Sequence, residues 1–272
     1  VLKTRLVSAA IMVPLVVGGV LYLPTAGVAL ALALVMSVGL WEWGAMIPLG
    51  SMAARIAYPA GVAALMALVW EVPIDRVLVP LLLLAVLWWL TALYWLVRPG
   101  FGEQSTRAVC VLKGCAGVLV MLPCWASFVT LHAREDHGPL ITLALLVMVW
   151  LADSGAYFAG RRWGRTRLAP VISPGKTWEG VLGGIVASAI AVLLAGYWYS
   201  RSLEWTFTLV PVALLAVMFS IVGDLLESLM KRQAGIKDSG SIIPGHGGVL
   251  DRIDSLTAAA PMFLAGMLWF GL

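Results

Sequence analysis

Residues 206–230 read TFTLVPVALLAVMFSIVGDLLESLM and carry no charge before Asp224. A helix needs about 20 such residues to cross the hydrocarbon core of a bilayer, so this run is long enough to span. Runs of the same character occupy 6–23, 27–48, 56–70, 77–97, 108–131, 139–160, 178–199 and 253–271. Together they predict an all-α, polytopic membrane bundle of nine transmembrane helices. Apolar residues make up 61% of the 272 and charged residues 12%, with a mean hydropathy of +0.97. A water-soluble surface takes about twice that charge, and a disordered chain would be poor in apolar residues. Both classes are excluded. Nine spans consume about 180 residues, so the rest form ends and loops rather than a soluble domain.

The basic residues give the orientation. With the N-terminus in the cytoplasm, 15 of the 18 Lys and Arg fall on inner segments. Only Arg76, Arg134 and Arg201 fall outside. This is the positive-inside bias expected of a correct span count. The opening Lys3-Thr4-Arg5 before an apolar run reads as a first anchor rather than a cleaved signal. The net charge of +4 follows from these inner loops, which suit anionic headgroups or a polyanionic substrate, and nucleic acid is not a partner. Trp70, Trp95, Trp163, Trp178, Trp205 and Trp269 lie near span ends, as in an interfacial belt. Cys110, Cys115 and Cys124 lack metal-ligand spacing and read as small buried side chains.

Polar chemistry concentrates in the second half. Residues 1–138 read as lipid-facing and dimerising helices; residues 139–272 read as the catalytic region, with cytoplasmic loops at 161–177 and 231–252. Asp224, Glu227, Ser228 and Lys231 recur at spacings of three and four, which puts them on one helix face. An ionised Asp within a span costs about 2.5–3.5 kcal/mol, so it needs a partner, a cavity or an ion. Plain pairing with a nearby Lys or Arg is the structural alternative.

The loop that follows carries Lys231-Arg232, Lys237-Asp238, Pro244-Gly245-His246-Gly247-Gly248, Asp251-Arg252 and Asp254. Clustered glycines let backbone N–H groups approach an anion. Asp251 and Asp254 could share a cation with Asp224, and hard oxygen ligands suit Mg²⁺ beside substrate phosphates. His246 either donates to a phosphate or holds the loop. The other inner loop contains Ser173-Pro174-Gly175-Lys176-Thr177. Gly-Lys-Thr is reminiscent of a P-loop, but Pro170 stands where the first glycine belongs and no strand is expected before it. Ser173, Lys176 and Thr177 can still flank phosphates. Glu179 suits a helix N-terminus, and Asp153 is a further intramembrane acid. Glu42, between Trp41 and Trp43, reads as packed or paired.

The stretch from Ser228 to Asp254, SLMKRQAGIKDSGSIIPGHGGVLDRID, resembles the signature of phosphatidate cytidylyltransferases. Asp153, Tyr157-Phe158, Gly160, Ser173 to Gly180, Gly183-Gly184 and Gly223-Asp224 also resemble that family. The resemblance covers roughly residues 150–256. It implies that CTP and phosphatidate react to CDP-diacylglycerol and pyrophosphate, with Mg²⁺ and a monovalent cation such as K⁺ beside it. It further implies a homodimer among the lipids of the bacterial inner membrane. By motif position, Asp224 and Asp251 hold the metal with support from Asp254. Lys231, Arg232, Lys237 and Arg252 hold phosphates, with Ser228, His246, Gly247 and Gly248 beside the substrate. An ion-coupled transporter is the competing class, because intramembrane acids occur there too; a related membrane enzyme using CTP on another lipid is a third.

Overall fold

The computed structural model describes residues 2–200, 202–243, 245 and 247–272, with backbone alone at 2–6, 199 and 200. The elements run α1 (Leu2–Tyr22), α2 (Thr25–Ala45), α3 (Met52–Glu71), α4 (Ile74–Val97), α5 (Arg107–His132) and α6 (Gly138–Trp163). A two-stranded hairpin, β1 (Arg167–Ala169) and β2 (Ser173–Thr177), precedes α7 (Trp178–Ser200), α8 (Leu203–Gln233) and α9 (Leu250–Phe270). Among the described residues nine helices follow one another in the predicted order. Eight of them, α2 to α9, are long and apolar enough to cross a membrane; in α1 the apolar stretch among the described residues is Val7–Tyr22.

Local chemistry explains the helix starts. Ser51, Thr106 and Ser202 accept from Ala54 N, Val109 N and Trp205 N at 3.2, 3.3 and 3.3 Å, satisfying amides that have no intrahelical partner. Prolines also sit inside α1, α3, α4, α5, α8 and α9. Membrane helices tolerate them because side chains re-satisfy freed backbone groups.

Several boundaries differ from the sequence expectation. The third helix starts at Met52 rather than 56, and α8 continues to Gln233. The last helix begins at Leu250, so Asp251 and Arg252 occupy its first turn instead of ending a loop. The segment 161–177 is partly helix and partly hairpin, its strands antiparallel with Arg167 opposite Thr177 and Ala169 opposite Ser173. Trp95, near the end of α4, is buried in the protein, edge-on to Trp88 and Phe101, and donates to Phe101 O at 2.6 Å. Of the cysteines only Cys124 is buried; Cys115 is exposed.

Small residues set the closest helix contacts. A Cβ on Gly155 would lie 2.7 Å from Ala187 Cβ, and one on Gly183 would collide with Ala159 Cβ. So α6 and α7 pack backbone to backbone, as membrane helices do where dispersion replaces the hydrophobic effect. Likewise a Cβ on Gly223 would lie 2.5 Å from Asp254 O, which brings α8 against α9 beside their acids. At one end of the bundle, Gln233 Nε2 donates to Pro99 O and Phe101 O at 2.8 and 2.9 Å, and Arg232 Nε to Ile172 O at 3.3 Å. These bonds gather the α4–α5, α6–α7 and α8–α9 connections on one face. The other end is tied by His132, whose ring meets Thr25 Oγ1 and Val20 O at 3.0 and 2.9 Å.

Candidate active site

The face of α8 anticipated from its spacing is real. Ser228 Oγ donates to Asp224 Oδ1 at 3.3 Å, and Lys231 Nζ lies 2.6 Å from Glu227 Oε2. Lys231 is also 2.6 Å from Asp251 Oδ1 in the first turn of α9. Its charge therefore sits between two carboxylates that are 2% and 8% exposed. Two buried acids share this one cation, and Glu227 Oε1 has no hydrogen-bond partner.

Asp251 has a second set of partners. Its Oδ2 accepts from Ser239 N at 3.1 Å and Gly248 N at 2.8 Å. A carboxylate at a helix start that collects backbone N–H groups of the preceding loop shapes that loop and suits the positive end of the helix. Gly247, at φ +87°, turns the chain through a region that side-chain-bearing residues avoid. The Gly248 amide, expected to approach a polyanion, is directed to Asp251 here.

Asp224 pairs with Lys176. That lysine comes from β2, which enters α7 without an intervening loop. Thr177 Oγ1 accepts from Gly180 N at 3.1 Å and is buried, so it caps α7. Glu179 accepts from Arg165 N and Thr166 N at 3.1 and 3.2 Å, folding the hairpin onto the helix start. Arg167 Nη1 closes it on Pro174 O. Asp153 on α6 lies in the field of Asp224, Lys176 and Arg252. Asp254 lies in the field of Asp224, Glu227 and Lys176. Asp153 on α6 and Asp254 on α9 thus both lie in the field of the Asp224–Lys176 pair.

The remaining expected site residues are placed as follows. Arg232 and Lys237 are exposed at the same end, Ser173 is half-buried at the start of β2, and Arg252 is exposed in the first turn of α9. His246 lies outside the described residues, as does Pro244. One residue that the sequence reading gave only as packed or paired belongs to the site's framework. Glu42 on α2 is 2% exposed and accepts from Ser239 Oγ, Val249 N and Leu250 N at 3.0, 3.1 and 2.8 Å. It has abundant polar company, all of it from the far end of the chain. The signal was available: an acid inside an apolar span is as costly at 42 as at 224.

Among the described residues no group of three or more His, Cys, Asp or Glu stands arranged to hold a metal ion. Mg²⁺ does not require such a cage; it usually keeps waters and takes one or two carboxylates plus phosphate oxygens. The Asp224–Asp254 neighbourhood offers carboxylates for that mode, with Asp224 held by the Lys176 and Ser228 side chains rather than by backbone amides. Both Asp251 oxygens, in contrast, are engaged by Lys231 and backbone amides.

A helical membrane bundle with lysines and carboxylates interleaved at one face defines a membrane protein equipped for polyanionic chemistry. The family model described as "Cytidylyltransferase family" matches residues 3–270. A phosphatidate cytidylyltransferase of Pseudomonas aeruginosa is 43% identical over 98% of this chain and 97% of its own length. One from Haemophilus influenzae is 36% identical over 96% and 97%, and one from Synechocystis is 49% identical over 46% and 42%. The chain belongs to the cytidylyltransferase family.

Proposed function

We propose that the protein transfers the cytidylyl group of CTP to phosphatidate, giving CDP-diacylglycerol and pyrophosphate. The observation that carries this reading is the convergence of Lys176 and Lys231 with Asp224, Asp251 and Asp254 at one end of a membrane bundle. The near-full-length likeness to phosphatidate cytidylyltransferases supports it. A phosphate monoester has its second pKa near about 6, so at neutral pH phosphatidate is already a nucleophile and needs no strong base. A lipid phosphate oxygen bonds to the α-phosphorus of CTP as the bond to the β-phosphate oxygen breaks, and pyrophosphate leaves. The protein's task is to bring two polyanions together and stabilise the charge on the leaving group.

Lys176 exchanges its Asp224 partner for a phosphate, and Lys231, Arg232, Lys237 and Arg252 hold the remaining oxygens. Asp224 and Asp254, with Asp251 nearby, would hold Mg²⁺, and a monovalent cation such as K⁺ would be a second cofactor. When bound, the divalent ion neutralises charge on the polyphosphate. Lipid tails lie between helices, leaving the phosphate at the membrane boundary. The 15-to-3 distribution of basic residues supports a cytoplasmic site, here in a homodimer in the bacterial inner membrane. Labelled CTP, phosphatidate and Mg²⁺ in detergent test the reaction. Pyrophosphate release that depends on phosphatidate is expected; release with another lipid acceptor only, or solute transport without nucleotide turnover, rejects it.

A further inference from the structure

Glu42 is a fully enclosed acid whose partners all lie in the last loop and at the start of α9, and nothing in the chemistry above uses it. Its three bonds run to Ser239 Oγ, Val249 N and Leu250 N. Two of those donors are amides at the start of α9, where the helix carries partial positive charge and unpaired N–H groups. The third, Ser239, sends its own N–H to Asp251 Oδ2. One residue thus links the Glu42 carboxylate to the Asp251 carboxylate, and Asp251 in turn fixes Lys231.

The glycines of this loop fit the same account. At Gly240 the three nearest atoms that a Cβ would meet all belong to Glu42, its Cδ at 2.8 Å among them. At Gly248 a Cβ would meet Ser239 Oγ and lie 2.5 Å from Glu42 Oε2. Neither glycine has a positive φ, so the demand there is for space. The loop is small at these two points because a carboxylate from α2 passes between them.

We infer that Glu42 is a positioning residue for the transfer reaction: by holding Ser239 and the start of α9, it sets where Asp251 and Lys231 meet the polyphosphate. The inference rests on the proposed reaction for its kinetic consequence but not for its structural one, and the two can be tested apart. Hydrogen exchange on the full-length protein in detergent, without nucleotide, reads the structural arm. Charge-assisted hydrogen bonds contribute about 1.5–3 kcal/mol each, so Glu42→Ala should speed exchange of the 239–250 amides at least about tenfold while other helices keep their protection.

Pyrophosphate release reads the kinetic arm. A misplacement of about 1 Å costs roughly 100-fold, so Glu42→Ala should lower kcat by that order while KM for phosphatidate stays within about twofold. Glu42→Gln keeps the volume and one acceptor oxygen and should fall between wild type and Ala in both arms. Gly240→Ala should lower kcat on its own and add nothing in the Glu42→Ala background, since the clash needs the carboxylate. Wild-type exchange and kcat in Glu42→Gln, or fully additive effects of the 42 and 240 substitutions, overturn the inference. A wild-type protein that releases no pyrophosphate sinks the proposed reaction instead, and the exchange arm still judges Glu42.

Discussion

Lys231 on α8 meets Asp251 on α9 at 2.6 Å, and that contact joins the face predicted from one helix to the loop predicted from the next. The lysine is 12% exposed and its two carboxylate partners less. Removing one member of a buried ion cluster leaves uncompensated charge, at about 3–5 kcal/mol. Lys231→Met should therefore lower the unfolding temperature in detergent and reduce kcat/KM at least about 100-fold. Unchanged thermal stability would show that water, not Lys231, compensates Glu227 and Asp251.

Asp224→Asn keeps the shape but removes the charge that Lys176 pairs with. Insertion and helix content should be retained, since a neutral side chain is easier to accommodate in a span. Turnover should fall by about 10²–10³, the scale on which a single electrostatic group at a reacting centre acts. Normal pyrophosphate release from this variant would remove Asp224 from the mechanism.

How much of this was legible in advance depends on distance along the chain. The apolar runs and the Asp224–Glu227–Ser228–Lys231 face could be read because helical periodicity is local. The hairpin could not: Ser173-Pro174-Gly175-Lys176-Thr177 has no alternating pattern, and Pro and Gly argue against a strand. Its strand character comes from pairing with Arg167–Ala169 and from Glu179 holding its base. The same deficit hid the identity of the Lys176–Asp224 pair: Lys176 was expected beside a phosphate and Asp224 at a metal, with an unspecified Lys or Arg as its structural alternative. Reading Asp251 and Arg252 as loop was a boundary error, because the cap of α9 comes from Glu42 on a helix 208 residues earlier rather than from a neighbouring residue.

Gly183→Val tests the α6–α7 contact. The added side chain would collide with Ala159 Cβ, and overpacking of this kind costs about 1–3 kcal/mol or more. Melting temperature should drop, and activity should drop with it, because Lys176 is attached to the first turn of α7. A stable variant with full activity would mean that the two helices can separate without moving the lysine.

Chelation tests the ion. With EDTA present, pyrophosphate release should fall to background and return on adding Mg²⁺ in excess, because lysines alone do not supply a divalent charge to the leaving group. Full turnover in EDTA would assign that task to Lys176, Lys231 and Arg252 instead.

Glu42 also sets an order of events during biosynthesis. Its partner Leu250 is made 208 residues later, a delay of about 10–40 s at about 5–20 residues per second. Through that interval the carboxylate sits in a nascent helix without the amides that will neutralise it. α9 therefore arrives as a latch, closing on a carboxylate that was in place before it.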